Sequence, residues 1–328
     1  MYENYTIDNL HIVTVATHSK HYLPYLIESC SKYGGVKLDI LGFGEKWQGY
    51  NWKFIKTLEY LRRLPPDDIA CFVDGYDVIC TRDLHELLPV FTKLKRENNC
   101  KIIIACDIQP FYTYVASYFV FGKCKSYFIN SGTYIGIVSD LIEVLENIYK
   151  LYPHTNNDDQ IAMCKYCSMN PDIFYIDTKN ELFLAIIHGF NTDMSTYVDF
   201  KEENIVYNGS RPFFYHANGN GVLDNVIKKL GMHLYHNKIK EEMRISSYKK
   251  IKYYVLLILD TYKYSIAFII IVVIIIISMY MFNKSSTSTL KSTSLSLLSK
   301  VKDIKIGKTT ENSIARIKDR IKGIKLKI

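Results

Sequence analysis

Residues 69–77 (IACFVDGYD) join an unbroken apolar run to two carboxylates, those of Asp74 and Asp77. Five apolar residues in succession indicate a buried strand, and such runs are typical of parallel sheets. In open α/β sheets, ligands bind beyond the carboxyl ends of the strands. Two acidic side chains at that edge would form an oxygen-rich site that suits Mn²⁺ or Mg²⁺. The same residues also fit an ordinary turn, so the rest of the chain must decide between these interpretations.

On both sides of this stretch, predicted strands alternate with predicted helices. The apolar patterns predict strands over 11–17, 36–41, 69–73, 101–106 and 128–138, and helices over 22–33, 52–61, 84–95 and 140–149. This alternation indicates βαβ units and a mostly parallel sheet. We therefore expect an α/β fold with a Rossmann-like central sheet.

The net charge of the chain is concentrated near its C-terminal end. Of +8 over 328 residues, residues 283–328 contribute +9, from 12 Lys and Arg against 3 Asp and Glu, so residues 1–282 carry −1. The composition of a near-neutral folded part does not imply a basic face for a nucleic-acid backbone, and no nucleic-acid motif occurs. Nucleic acid is therefore not an expected partner.

One apolar segment has the length of a membrane helix. Residues 264–282 (YSIAFIIIVVIIIISMYMF) are 19 residues without a charge, far longer than a strand, with tyrosines near both ends. With a rise of about 1.5 Å per residue, they would span roughly 28 Å, close to the hydrocarbon thickness of a bilayer. We expect a folded domain over 1–245, a basic juxtamembrane segment over 246–263, a transmembrane helix over 264–282 and a basic Ser/Thr-rich tail over 283–328, with the lipid bilayer as a partner.

The orientation and the redox compartment of the domain are less constrained. Residues 1–8 are polar and acidic, unlike a secretory signal, which slightly favours a cytosolic domain in a single-pass membrane protein. Basic residues flank both ends of the apolar segment, so the positive-inside rule does not discriminate. Cys164 and Cys167 form an isolated C-x-x-C, for which we expect two free thiols rather than a zinc site.

Four further polar segments could join the acidic pair in one site. They are residues 14–17 (TVAT) at the end of the first strand, 130–132 (NSG), 156–160 (NNDDQ) at a helix start, and 215–219 (YHANG) late in the chain. The acids of the third segment fit helix caps as well as a catalytic or sugar-binding role. His216 in the fourth segment would supply a third metal ligand, although a single histidine is more often structural.

The chain resembles the glycosyltransferase domain of the procollagen lysyl hydroxylase/glucosyltransferases and, more distantly, the procollagen galactosyltransferases. The resemblance runs from about residue 10 to 221, through VTVAT (13–17), LGFGEKWQG (41–49), FVDGYDVI (72–79), INSGTYIG (129–136), DDQ (158–160) and HANG (216–219). It implies a GT-A fold, a UDP-sugar donor and Mn²⁺. No hydroxylase domain follows residue 221 in this chain, so lysine hydroxylation is not expected.

The resemblance also implies a role for individual residues. It implies metal ligands at Asp74, Asp77 and His216, uridine contacts at Thr14, Thr17 and Tyr76, a diphosphate contact at Lys53, and sugar contacts at Asn130, Asp158, Asp159 and Gln160. Asp158 or Asp159 would act as the catalytic base if the reaction inverts the sugar, whereas a retaining route needs no such base.

Three departures from the family pattern bear on activity. Gly75 replaces a serine, Asn156 and Asn157 shorten the acidic run, and the family's Pro-Thr-Lys after Gly219 is absent. We therefore expect a membrane-anchored, Mn²⁺-dependent hexosyltransferase that uses UDP-glucose or UDP-galactose and a protein or glycan acceptor, such as a hydroxylysine. The alternatives are an inactive carbohydrate-binding module and a nucleotidyltransferase, although the first strand lacks the Gly-rich loop that the latter requires.

Overall fold

The computed structural model describes residues 5–154, 158–187, 192–219, 221–235, 255 and 269–278. The chain divides into two compact units, Met1–Thr261 and Tyr262–Ile328. The first unit contains the predicted folded domain.

Strands and helices alternate through most of this unit. The strands are β1 (Leu10–Val15), β2 (Leu38–Leu41), β3 (Ile69–Val73), β4 (Val78–Cys80), β5 (Ile102–Ile108), β6 (Ile129–Ile137), β7 (Phe174–Asp177), β8 (Phe183–Ile186), β9 (Asp199–Lys201), β10 (Asn204–Val206) and β11 (Phe214–His216). The helices are α1 (Leu23–Lys32), α2 (Trp52–Leu61), α3 (Leu87–Asn98), α4 (Phe111–Val120), α5 (Val138–Leu151), α6 (Asp159–Met169) and α7 (Asp224–Lys229).

One large sheet organises the unit. Its strand order is β2-β1-β3-β6-β5-β8-β11-β4, and β7 also pairs with β5. The pairs β1·β2, β1·β3, β5·β7, β5·β8 and β8·β11 are parallel, whereas β6 runs antiparallel to both of its neighbours and β4 runs antiparallel to β11. The predicted α/β class with a mostly parallel sheet is confirmed.

The apolar run of β3 is buried because both faces of the sheet are covered. Side chains of a strand alternate between its two faces. Ile69, Cys71 and Val73 enter one core cluster with α1 and α3, while Ala70 and Phe72 enter another with α2 and α5. This double burial explains why the strand carries no polar alternation.

Each of the predicted strands and helices is present in the structure. The helix over 52–61 and the strand over 69–73 have the predicted limits, and the others differ at their ends by a few residues. The pattern did not reveal α4, whose sequence FYTYVASYFV has no clear polar face, or the three-residue strand β4 after Asp77. Short strands and uniformly apolar helices carry little periodic signal.

The C-terminal predictions fall largely outside the described residues. Residues 269–278 are helical and exposed, but 264–268 and 279–282 of the predicted membrane helix are not described, nor are 246–263 apart from Val255, nor 283–328. Among the residues that are described, no helix combines the length and apolar character needed to cross a bilayer.

The expectation of two free thiols at Cys164 and Cys167 is wrong for one of them. Cys167 forms a disulfide with Cys124, which joins α6 to the segment after α4, while Cys164 is free and buried. The partner was not evident from sequence because the two cysteines are 43 positions apart.

Candidate active site

Strand pairing brings His216 to the acidic pair. β4 begins directly after Asp77 and pairs antiparallel with β11, with Val78 opposite His216. The backbone N–H of Ala217 donates to the carbonyl oxygen of Asp77 at 2.8 Å. The residues before β4 and the last residue of β11 therefore lie side by side, although they are far apart in the chain. Asp74, which directly follows β3, lies at the same end of the sheet.

Asp74, Asp77 and His216 form a compact three-residue cluster. One ligand atom from each lies within 4.8 Å of the others. Nε2 of His216 is 3.2 Å from Oδ1 of Asp77 and 4.0 Å from Oδ2 of Asp74. His216 is 2% exposed, and within the described part of the chain its Nε2 has no hydrogen-bond partner. Buried polar atoms normally have a partner. A cation bound between the two carboxylates would give this buried nitrogen the partner that it lacks.

Asn130 determines which ring nitrogen of His216 carries the proton. Its Oδ1 accepts a hydrogen bond from the backbone N–H of Gly132 at 2.8 Å and lies 3.0 Å from Nδ1 of His216. Because an amide oxygen only accepts, we assign the proton to Nδ1. Nε2 then presents its lone pair to the cluster. An orienting hydrogen bond of this kind is typical of metal-bound histidines.

Gly132 leaves the space that the cluster needs. A Cβ at this position would lie 2.5 Å from Oδ2 of Asp74 and 2.5 Å from Cε1 of His216. Only glycine permits this close approach of β6 to the cluster. Two carboxylates and one neutral imidazole suit Mn²⁺ and Mg²⁺ and also other divalent ions of the first transition row. The residues present therefore fit the predicted metal.

The cluster retains negative charge that acts on His216. Burial by itself lowers the pKa of this imidazole, but the carboxylates of Asp77, Asp74 and Asp107 outweigh burial and raise it above its ordinary value. The metal-free cluster therefore favours a cation, whether a proton or a metal ion.

Lys53 lies between two of the predicted site residues. Its Nζ is 2.9 Å from Oδ1 of Asp74 and 2.7 Å from Oδ2 of Asp159. Burial lowers the pKa of Lys53, but the carboxylates of Asp159 and Asp74 raise it by more, so the side chain remains an ammonium ion. The predicted diphosphate contact and the predicted sugar contact are thus joined by a buried ion pair.

The two adjacent acids, Asp158 and Asp159, occupy different environments. Asp158 is the N-cap of α6, and its Oδ1 accepts from the backbone N–H groups of Gln160 and Ile161 at 3.0 and 3.1 Å. The capping role that the sequence left open is therefore present at Asp158. Asp159, 4% exposed, points instead toward Lys53.

Asp107 is a site residue that the sequence interpretation missed. It follows the apolar run of β5 and is 3% exposed. Nδ2 of Asn218 donates to its carboxylate at 3.2 and 3.4 Å, and Nε2 of Gln160 lies 3.5 Å from Oδ2. Burial raises the pKa of Asp107 to about 7, although His216 and hydrogen bonds from Asn218, Gln160 and Asn130 limit the rise. The one available signal was an acid that follows directly after an apolar run, as Asp74 does.

The predicted uridine contacts gather around the acidic turn. The hydroxyl of Tyr76 accepts from the backbone N–H of Thr17 at 2.9 Å and from that of His18 at 3.2 Å. Thr14 is fully buried, and its Oγ1 would lie 2.9 Å from a Cβ placed on Gly75. Glycine at this position therefore fits a turn packed directly against β1.

Comparison with known proteins identifies the family of the chain. A family model described as the PLOD GT domain matches residues 6–245. The chain belongs to the PLOD GT domain family. As a member of this family, it is a glycosyltransferase, and the predicted family resemblance is confirmed.

This PLOD GT domain also has similar curated proteins. It is 27% identical over 242 residues to a procollagen-lysine,2-oxoglutarate 5-dioxygenase of Drosophila melanogaster and 25% identical over 236 residues to a multifunctional procollagen lysine hydroxylase and glycosyltransferase of Caenorhabditis elegans. These matches cover 66% and 65% of this chain and 31% of each relative, so the chain spans about a third of their length. Uncharacterized protein R699 of Acanthamoeba polyphaga mimivirus is 27% identical over 194 residues, which cover 55% of this chain and 39% of that protein.

Among solved structures, mouse xyloside xylosyltransferase 1 has a TM-score of 0.40 and 12% identity, and the match covers 64% of this chain and 98% of that one. A glycosyltransferase involved in the glycosylation of the major capsid of PBCV-1 also has a TM-score of 0.40, with 14% identity and coverage of 64% and 94%.

Proposed function

We propose that this PLOD GT domain transfers a hexose, glucose or galactose, from a UDP-sugar to a protein or glycan acceptor, with Mn²⁺ or Mg²⁺ as cofactor. The names of the relatives, which include procollagen lysine hydroxylases, support a hydroxylysine-type acceptor. The observation that carries the proposal is the convergence of Asp74, Asp77 and His216, with a buried Nε2 that has no other partner in the described residues.

The proposed metal site would serve the departure of UDP. When bound, a divalent ion neutralises the negative charge that develops on the diphosphate. Asp74, Asp77 and His216 would hold that ion, and Asn130 accepts the Nδ1 proton of His216, so that Nε2 faces the ion. Tyr76, hydrogen-bonded to the end of β1, would provide a half-buried ring for the uracil base.

Three carboxylates are candidates for the chemistry at the sugar. Asp158 caps α6, and Asp159 is paired with Lys53. The carboxylate of Asp107 faces the side-chain amides of Asn218 and Gln160. A general base works best with a pKa near the working pH. Because burial raises the pKa of Asp107 to about 7, we add Asp107 to the predicted pair as a candidate base or sugar contact.

The direct test is a donor screen on the full chain. Release of UDP from each common UDP-hexose is measured by mass spectrometry with Mn²⁺, with Mg²⁺ and with a chelator. We expect release from UDP-glucose or UDP-galactose that the chelator abolishes. Binding of UDP with Mn²⁺ but no transfer to any acceptor in a broad screen would support an inactive binding module instead.

Matched aspartate variants separate the metal site from general effects. We expect Asp77→Ala to abolish turnover and Mn²⁺ binding. Asp67→Ala removes an exposed acid near the opposite end of β3 and should change neither. Full activity of the Asp77→Ala protein would disprove the proposed metal site.

We further propose that residues 264–282 anchor the protein in a bilayer. The Cys124–Cys167 disulfide favours an oxidising compartment for the domain over the cytosol. Carbonate extraction of membranes from cells that express the chain tests the anchor, and protease protection of sealed vesicles tests the side. Release of the protein by carbonate would contradict the anchor, and digestion of the domain from the cytosolic side would contradict the oxidising compartment.

A further inference from the structure

Lys53 is held as a fixed cation between two carboxylates. It lies in the first turn of α2, is 8% exposed, and places its Nζ 2.9 Å from Asp74 and 2.7 Å from Asp159. The ammonium group also lies 5.8 Å from the ring centroid of Phe72, which stacks on Tyr134 at 4.9 Å. A packed apolar wall and two ion pairs therefore fix both its position and its charge.

Asp74 connects this lysine directly to the proposed metal site. Its Oδ1 contacts Lys53, while its Oδ2 is the oxygen that faces Nε2 of His216. A divalent ion bound at the cluster would therefore be separated from the ammonium by a single carboxylate. The divalent ion and the ammonium are both positive, and at such a short distance they repel each other strongly because water screens charges little in a buried site. Lys53 must therefore weaken binding of the ion when no nucleotide is present.

The diphosphate of a donor would reverse this effect. Its negative charges would attract the ammonium as well as the ion, so that Lys53 would exchange its contact with Asp74 for one with the diphosphate and leave Asp74 to the ion. Binding of the ion and of the nucleotide would then favour each other, and such coupling is reciprocal. The coupling arises from this exchange of partners, because an ammonium that stayed on Asp74 would weaken ion binding equally with and without the nucleotide, and it does not require a change in protonation.

We propose that Lys53 is a positioning residue that couples divalent-ion binding to binding of the UDP-sugar. It occupies one oxygen of Asp74, holds Asp159 at the start of α6, and keeps the affinity for the ion low until the diphosphate arrives. This inference rests on the metal site of the proposed function. It differs from the role predicted from sequence, in which Lys53 only contacts the diphosphate.

Binding of Mn²⁺ to the full chain without nucleotide tests the coupling. Mn²⁺ affinity is measured by calorimetry and by electron paramagnetic resonance, with and without UDP. We expect Lys53→Met to bind Mn²⁺ at least about tenfold more tightly than the wild type when UDP is absent. UDP should then improve Mn²⁺ affinity much less than it does in the wild type, and kcat should fall.

Two variants serve as controls. Lys53→Arg keeps the charge and should keep the weak binding of Mn²⁺ without UDP. Lys56→Met removes a lysine of the same helix that pairs with Glu45 and Glu59 away from the cluster, and should bind Mn²⁺ like the wild type. If circular dichroism shows that Lys53→Met is unfolded, Lys53→Gln replaces it.

Each outcome decides the question. Unchanged or weaker Mn²⁺ binding by a folded, neutral Lys53 variant overturns the coupling. In that case, a raised KM for the UDP-sugar with unchanged Mn²⁺ affinity assigns Lys53 to a simple diphosphate contact. Absence of Mn²⁺ binding by the wild type, with or without UDP, removes the metal site itself and the coupling with it.

Discussion

Replacing Gly132 with alanine should close the proposed cation site without removing any ligand. The added Cβ would stand 2.5 Å from Oδ2 of Asp74, 2.5 Å from Cε1 of His216 and 3.0 Å from Oδ1 of Asn130. Non-bonded heavy atoms prefer separations of about 3.5 Å or more. Both ligand side chains must therefore move away from the new methyl group by about 1 Å.

A displacement of this size is large for a metal site. Coordination distances tolerate changes of about 0.2 Å. We therefore expect Mn²⁺ affinity to fall by at least about 100-fold, or roughly 2.7 kcal/mol, which is the upper end of the effect of disturbing residues that orient ligands. Overpacking the buried strand should also lower the free energy of unfolding by about 1–3 kcal/mol.

Gly136→Ala provides the matched control on the same strand. Its added Cβ would lie 2.9 Å from the carbonyl oxygen of Lys101 and 3.0 Å from Cγ of Leu141, away from the cluster. Urea unfolding of both variants and Mn²⁺ titration by calorimetry separate the two effects. Both variants should lose stability, but only Gly132→Ala should lose Mn²⁺. A folded Gly132→Ala protein with wild-type Mn²⁺ affinity would refute the assignment of Asp74 and His216 as ligands.

Three further predictions concern single side chains. Asn130→Ala should lower Mn²⁺ affinity about 10–100-fold because His216 loses the acceptor that fixes its tautomer, whereas Asn51→Ala, which also removes two buried hydrogen bonds, should only destabilise the fold. Burial raises the pKa of Asp177 from 3.8 to about 6, so its protonated form is favoured in the folded state and the free energy of unfolding should fall by roughly 2 kcal/mol as pH rises from 4 to 7. Asp177→Asn should remove most of that fall in urea titrations, and a slope equal to that of the wild type would contradict the pKa. Cys124→Ser should lower the free energy of unfolding by up to about 4 kcal/mol because its disulfide closes a loop of about 40 residues, and an unchanged melting temperature would show that the bond does not form.

Local patterns were enough to predict much of the fold. The apolar run of β3 indicated a strand covered on both faces, and the alternation of strands and helices indicated a mostly parallel sheet. The antiparallel direction of β6 and its place between β3 and β5 were not predictable. Strand order depends on which faces pack together, and no single segment encodes that information.

The metal site was also predicted only in part from the sequence. Asp74 and Asp77 were identified from sequence because they follow a buried strand, and His216 was a candidate third ligand that the family resemblance also implied. Their contact depends on the pairing of β4 with β11, which brings together residues that are far apart in the chain.

The amino-acid sequence by itself determined most of the strands and helices and the types of side chain available at the ends of the strands, because apolar periodicity and chain order act locally. Only the tertiary structure decided that Lys53 joins Asp74 to Asp159, that Asn130 orients His216, and that Asp107 lies in the site. These contacts are made by side chains that converge from different strands and helices. Their distances and charges exist only once the sheet is assembled.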